Sequence, residues 1–150
     1  KWIKMELQEI QKLGEKLLIK HNLPNWYFKF DNAKRRYGLC AHSKRTISLS
    51  KHLSPLRKKE DIVNTILHEI AHALVGPRNG HNHIWKRKAL EIGCDGNRCG
   101  NDVRVEGKWV GSCPNGHSFS KHRKPKKKTS CGKCCNTFNP DYLIVYTERK

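Results

Sequence analysis

The sequence predicts an α+β fold, with helices and a small antiparallel sheet in one domain and a smaller β module after it. Two strongly apolar helical patterns, in residues 2–20 and 60–75, and three short strand-like segments between them indicate the first domain. After about residue 100 the apolar content falls, and Gly, Pro, Asn and Lys separate short strand-like runs. We therefore predict two domains, residues 1–99 and 100–150, with the composition changing between 100 and 107.

The N-terminal region predicts a helix followed by three strands. Residues 2–20 carry apolar side chains at helical spacing, and Pro24 follows the helix. Trp26, Phe28 and Phe30 occupy alternate positions, which is typical of a strand with one buried face. The predicted strands cover residues 26–30, 36–41 and 46–49. Turn residues separate them, so we expect an antiparallel meander.

Two helices are predicted after the strands. Residues 60–75 are apolar around most of the helix circumference, so this helix belongs in the middle of the domain. Gly76 and Pro77 end it. A shorter helix is predicted over residues 82–92 and ends at Gly93.

The central helix carries the motif His-Glu-x-x-His, formed by His68, Glu69 and His72. Residues four apart share one face of a helix, so both imidazoles can bind one zinc ion. Glu69 lies about 100° around the helix and is the candidate general base. Polar residues on a buried helix cost free energy unless they are paired with each other or with a metal. The alternative to a zinc site is therefore a hydrogen-bonded pair of histidines in the core.

A catalytic zinc ion usually takes three protein ligands, so a third ligand is expected after the helix. His81 and His83 both follow at short range, and Glu91 is the nearest carboxylate. The metzincin spacing requires Gly and His where this chain has Val75 and Arg78, which excludes that family.

The seven cysteines indicate a second metal site. Cys113 and His117 form one ligand pair, Cys131 and Cys134 form another, and a basic loop joins the two pairs. This is the layout of a zinc ribbon, in which a structural zinc ion supplies the folding free energy that a small core cannot. Cys135 is the alternative to Cys134.

Three cysteines lie outside this pattern. Cys94 and Cys99 are close in sequence and are compatible with a thiol pair, a reversible disulfide, extra metal ligands or free thiols. Cys40 is most simply a core residue. Without a secretion signal, cysteines at metal-ligand spacing favour a reducing, intracellular location: the cytoplasm or nucleoid, or the nucleus of a eukaryote.

The charge of the chain predicts a nucleic-acid partner. Lys and Arg number 31 against 13 Asp and Glu, which gives a net charge of +18. The chain lacks an apolar run long enough to span a membrane, so we expect no membrane partner. The expected nucleic-acid contacts are Lys86, Arg87, Lys88, Trp109, Lys121, Arg123, Lys124, Lys126, Lys127 and Lys128. Phe119 and Phe138 are instead expected to fill the core of the ribbon.

Four features in order resemble the SprT-like (Spartan) family of zinc metalloproteases. They are the N-terminal helix, the aromatic and Ile-Ser-Leu-Ser strands, the His68–His72 motif, and Gly80-His81 followed four residues later by Trp85. The resemblance covers about residues 2–95 and continues into the ribbon. It implies a zincin-like fold with His81 as the third zinc ligand.

The resemblance also implies a function: cleavage of proteins crosslinked to DNA, with activity stimulated by DNA and with self-cleavage. We expect single-stranded DNA or a single-strand/double-strand junction as the partner, DNA-attached proteins as substrates, and a monomer. One alternative is a non-catalytic DNA- or RNA-binding accessory protein with structural zinc ions. The other is a zinc peptidase whose target does not depend on DNA.

Overall fold

The computed structural model describes residues 4–98 and 105–150, and the chain divides into two compact units, Lys1–Val105 and Glu106–Lys150. Among the described residues, the first unit has three α-helices and a three-stranded sheet, and the second has another three-stranded sheet. This confirms the α+β fold class. Helices long and apolar enough to cross a membrane are absent from the described residues. Residues 2 and 3 of the first predicted helix, and Cys99, lie outside those residues.

The first helix, α1, spans Leu7–Lys20 and buries its apolar face, including Ile10, against the core of the unit. Gly14 lies on the same helix directly against the ring of Phe28, where a Cβ atom would overlap the ring carbons. The absence of a side chain at Gly14 therefore sets how closely α1 approaches the sheet.

The sheet consists of β1 (Tyr27–Asp31), β2 (Gly38–Ala41) and β3 (Thr46–Ser50), in the order β1-β3-β2. β2 and β3 form an antiparallel pair, but β1 and β3 are parallel. The expected antiparallel meander is therefore wrong in its pairing. Two parallel strands cannot be joined by a tight turn, because the chain must first return to the starting edge of the sheet. Here β2 is that return segment between β1 and β3, and the tight turn at residues 42–45 then joins β2 to β3.

The central helix, α2, spans Lys59–Val75, and α3 spans His83–Glu91. Ile62, Ile66 and Ile70 of α2 are fully buried, as the sequence pattern predicts for a central helix. Trp85 of α3 is also fully buried in the same core. The His-Glu-x-x-His motif therefore lies on a helix that packs into the core of the unit.

The second unit is built on an antiparallel sheet of β4 (Trp109–Ser112), β5 (Ser118–Lys121) and β6 (Val145–Glu148), in the order β5-β4-β6. Its apolar core is small: Ile144 and Tyr146 lie over Gly111, where a Cβ atom would contact both side chains too closely. Phe119 is half-buried, but Phe138 is 62% exposed and does not fill the core as expected.

Candidate functional site

Three imidazoles meet beside the C-terminal half of the central helix. His68 Nε2 lies 3.3 Å from His72 Nε2, and His81 Nε2 lies 3.0 and 3.2 Å from these two atoms respectively. His68 and His72 come from successive turns of α2, whereas His81 comes from the loop between α2 and α3. The structure therefore brings together the motif histidines and one of the two histidines proposed as third ligand.

The loop that carries His81 is shaped by its own sequence. Gly76 and Gly80 have φ angles of +90° and +50°, in the region that glycine adopts most easily. The Asn79 amide donates to the Val75 carbonyl at 2.7 Å, which closes the end of α2. Asn82 then caps α3 by accepting from the N–H groups of residues 84 and 85. These contacts turn the chain back over α2 and bring His81 to the motif.

The other proposed third ligands lie elsewhere. His83 is the exposed first residue of α3, and Glu91 is at the opposite end of that helix, paired with Lys88 at 3.1 Å. Among the described residues, the group of close ligand atoms contains His68, His72 and His81 but neither of these two.

The three-imidazole group fits a zinc ion. Zn–N bonds of about 2.0–2.1 Å in a tetrahedron place neighbouring nitrogens about 3.3 Å apart, close to the observed separations. Burial, followed by the charge of neighbouring imidazoles, lowers the pKa of His68 and of His72 to about 4. The pKa of His81 is also lowered, first by burial and then by Arg98. The rings are therefore neutral at pH 7, which is the form that binds metal.

Trp85 forms the floor beneath these imidazoles. Its ring centroid lies 4.6 Å from that of His68, 5.2 Å from that of His72 and 4.7 Å from that of His81. The indole stacks on His72, with 25° between the ring planes, and its Nε1–H donates to the His68 carbonyl at 3.3 Å. The buried indole thus restricts the orientation of all three rings.

Glu69 faces the same cleft from the next position on α2. The side chain is only 7% exposed, and burial raises its pKa to about 7 although the charge of Arg36 opposes the shift. Strand β2 packs so closely here that a Cβ atom on Gly38 would lie 3.1 Å from Glu69 Cγ. A carboxylate is thus held beside the imidazole group, outside the set of close ligand atoms.

The cleft encloses about 450 Å³ and includes residues that the sequence analysis did not assign to the site. Cys40 is half-buried and lines the cleft, so it is not a simple core residue as expected. Burial, followed by the charge of Glu69, raises its thiol pKa to about 12. His42 is 3.7 Å from the Cys40 sulfur. The sequence did not indicate either residue, because their place in the cleft depends on the packing of β2 against α2, a contact between distant segments of the chain.

A second cluster of ligand atoms lies in the second unit. His117 Nδ1 is 3.4 Å from the sulfurs of Cys113, Cys131 and Cys134, and the Cys113 and Cys134 sulfurs are 3.9 Å apart. A tetrahedral zinc ion with these ligands has edges of about 3.5–3.8 Å, so the group fits zinc. Cys135, the alternative ligand, instead contacts Thr137 at 3.6 Å.

In the second cluster the surroundings of Cys113 favour the thiolate form that a metal needs, whereas the pKa of Cys134 is raised because burial and the neighbouring Cys131 and Cys113 outweigh the hydrogen bond from Asn115. Desolvation opposes a lower pKa at Cys113, but hydrogen bonds from the backbone N–H groups of His117 and Asn115 outweigh it and lower the pKa to about 6. The Asn115 amide donates to the Cys134 sulfur at 3.2 Å. Cys113 and Cys131 are buried, so the cluster also forms much of the interior of this small unit.

The basic residues expected to contact nucleic acid are mostly exposed. Those in the second unit form a loop after β5, and Lys124 Nζ lies 5.3 Å from the centroid of the half-buried Trp109 ring. The exposed members of this loop and strand end are Lys121, Arg123, Lys124, Lys126, Lys127 and Lys128. In the first unit Lys86 and Arg87 are exposed, whereas Lys88 pairs with Glu91.

The model of the SprT-like family matches residues 7–105, which is more than half of the chain. The match covers α1, the first sheet, the motif helix and the loop that carries His81. No curated protein matches the chain.

Proposed function

Because the chain belongs to the SprT-like family, whose domain is of the zincin-like metalloprotease type, we propose that it is a DNA-binding zinc endopeptidase. Its substrates are proteins bound or crosslinked to DNA. The observation that carries this proposal is the convergence of three imidazoles and a buried Glu69 side chain in one cleft. A purely structural metal site needs no such carboxylate.

Each residue of the cleft has a separate role in the proposed peptide hydrolysis. His68, His72 and His81 would hold a zinc ion, and Trp85 keeps their rings in place. When bound, zinc polarises the scissile carbonyl and makes water more acidic. Glu69 takes the proton of the attacking water and then passes it to the leaving amine. Burial of Glu69 keeps bulk water away from this proton transfer.

The second unit provides the proposed contact with DNA. A structural zinc ion at Cys113, His117, Cys131 and Cys134 stabilises it, since its apolar core is small. The exposed lysines bind phosphates, and the Trp109 ring stacks on an unpaired base. Tethering to DNA raises the effective concentration of the catalytic unit near an attached protein.

A cleavage assay on a protein crosslinked to DNA tests this function. We expect the wild-type chain to cleave the crosslinked protein in the presence of single-stranded DNA, and much more slowly without it. Cleavage that is indifferent to DNA would support a general peptidase. Tight DNA binding without any cleavage would support the accessory-protein alternative.

Neutralising the basic loop should weaken the salt dependence of DNA binding. Changing Lys124, Lys126, Lys127 and Lys128 to Gln removes four exposed charges. If all four contact single-stranded phosphates, the slope of log affinity against log salt falls in magnitude by about 3. Fluorescence anisotropy at several salt concentrations measures this slope.

A matched variant separates local contact from total charge. Lys4, Lys12, Lys16 and Lys20 are exposed lysines in or near α1. Changing these four to Gln gives the same net charge as the loop variant, and we expect it to leave the slope almost unchanged. Equal slopes for the two variants would remove the loop from the interface.

A further inference from the structure

The cleft that holds the three imidazoles also carries an excess of positive charge. Three separate segments of the chain contribute arginines to its lining: Arg35, Arg36, Arg57 and Arg98. The acidic side chains among the described lining residues are Glu69 and Asp95. Glu69 is assigned to proton transfer, and Asp95 Oδ1 accepts from the Asn97 N–H at 2.9 Å. The proposed reaction therefore leaves this positive charge without a role.

The loop that carries Arg35 and Arg36 is held at both ends. At its start, the Asp31 carboxylate of β1 accepts from the backbone N–H two residues later at 2.9 Å and from Arg36 at 3.0 Å. At its end, the Tyr37 carbonyl accepts from the N–H of the fully buried Ser50 at 2.8 Å. Arg36 is thus paired with a carboxylate inside the protein. Arg35 is exposed at the cleft, on a loop whose course is fixed.

Arg57 places a buried charge in the same cleft. The residue is only 5% exposed, and its Nη1 donates to Thr65 Oγ1 at 2.5 Å. Its guanidinium carbon lies 3.8 Å from the centroid of the Tyr37 ring. Thr65 is one helical turn before Glu69, so this guanidinium is fixed beside the catalytic part of α2. Charges removed from water act more strongly on a bound anion than charges on an open surface do.

Arg98 follows a segment that is anchored to α2. The Asp95 N–H donates to Asn64 Oδ1 at 2.8 Å, and Asn64 is one helical turn before His68. This contact brings the segment after α3 to the imidazole side of the cleft. Arg98 is exposed, and the ion pairs within the described part of the chain include neither Arg98 nor Arg35. Both guanidinium groups are therefore open to an anion from outside.

An anion bound in this cleft has to share the space with the peptide that is cleaved. The cleft encloses about 450 Å³, a volume that suits a small ligand or a few side chains. A DNA strand in the cleft would exclude the peptide from the imidazoles and from Glu69. A carboxylate that belongs to the peptide reaches the arginines with the peptide in place. Guanidinium groups bind carboxylates through paired, charge-assisted hydrogen bonds.

We propose that Arg35 and Arg98, supported by the buried Arg57, form a carboxylate-binding subsite that selects peptides with an acidic group close to the cleaved bond. This inference rests on the proposed peptidase function. The carboxylate belongs either to a Glu or Asp side chain or to the C-terminus of the substrate, since both sources have the same chemistry. The subsite determines which peptides bind productively and takes no part in the transfer of protons.

The test uses mixtures of quenched fluorescent peptides in which one position at a time is Glu, Gln or Lys. Both ends of these peptides are blocked, and a further Gln peptide has a free C-terminal carboxylate. We expect the full wild-type chain to cleave the best Glu peptide, or the peptide with the free C-terminus, with a kcat/KM about tenfold above that of the blocked Gln peptide. The Lys peptide should be the poorest of the set. The peptide that gains identifies the source of the carboxylate.

Arg35→Gln combined with Arg98→Gln removes the two exposed guanidinium groups. This variant should cleave the Glu and Gln peptides with nearly equal kcat/KM. Lys34→Gln combined with Lys44→Gln lowers the net charge by the same amount, and both lysines are exposed outside the lining of the cleft. The lysine variant should therefore keep the tenfold preference. Arg57 is left unchanged, because its replacement would also disturb packing.

The possible results separate this subsite from the proposed function. Equal cleavage of all blocked and free peptides by the wild-type chain would overturn the subsite, and so would a preference that survives in the arginine variant. Inhibition of peptide cleavage by single-stranded DNA that the arginine variant relieves, without any carboxylate preference, would show that the arginines bind phosphate instead. Failure to cleave any peptide would count against the proposed function. Fluorescence anisotropy of the same peptides would then decide on the subsite, since equal binding of Glu and Gln peptides would overturn it.

Discussion

Replacing Glu69 with glutamine is expected to reduce peptide cleavage by about 10²–10⁴-fold while the imidazole site keeps its zinc ion. The amide has nearly the same shape as the carboxylate but cannot accept the proton of the attacking water. Glu69 lies outside the group of close ligand atoms, so metal binding does not require its charge. Cleavage rates and metal content, measured on the same preparations, test both parts of this expectation.

Glu60 provides the matched control for this change. It lies in the first turn of the same helix, but its side chain is exposed and far from the motif in sequence. Glu60→Gln should cleave at the wild-type rate. Undiminished cleavage by Glu69→Gln would show that another group serves as the base. Loss of zinc from Glu69→Gln would show that the carboxylate supports the metal site instead.

The helices could be predicted because their signals are local. The apolar repeat of α2 and the cap at Asn82 lie within the segments they specify, and the observed helices begin and end within one residue of the prediction for α2 and α3. The pairing of the strands depends on contacts between distant segments. A tight turn between β2 and β3 fits either a meander or the observed order, so the short strands alone did not reveal the parallel pair of β1 and β3.

In the candidate site, too, the features set by local sequence could be predicted and those set by the folded loop could not. The spacing of His68 and His72 on one helix determines their proximity, but His81 and His83 are separated by one residue in a loop with glycines. The capping of α3 by Asn82 separates these two: His83 begins the helix, whereas His81 remains in the loop over α2.

Replacing His81 with alanine is expected to remove zinc from the imidazole site and to abolish cleavage with it. Only the imidazoles of His68 and His72 would remain. The His81 Nε2 atom, which lies 3.0 Å from His68 Nε2 and 3.2 Å from His72 Nε2, would be lost. Since partners outside the ligand set contribute about 10–100-fold to metal affinity, loss of a direct ligand should cost more than about 100-fold. Elemental analysis should then find one zinc ion per chain, bound at the Cys113 cluster. The wild-type chain should contain two zinc ions.

His83→Ala is the natural comparison, because it removes the same ring two residues along the chain. His83 is exposed at the start of α3, and Asn82 caps that helix without it. This variant should therefore keep both zinc ions and most of the activity. If His83→Ala lost the metal and His81→Ala kept it, the loop would have to rearrange on binding zinc, and the third ligand would move to His83. If both variants kept two zinc ions, the third ligand would lie outside this loop.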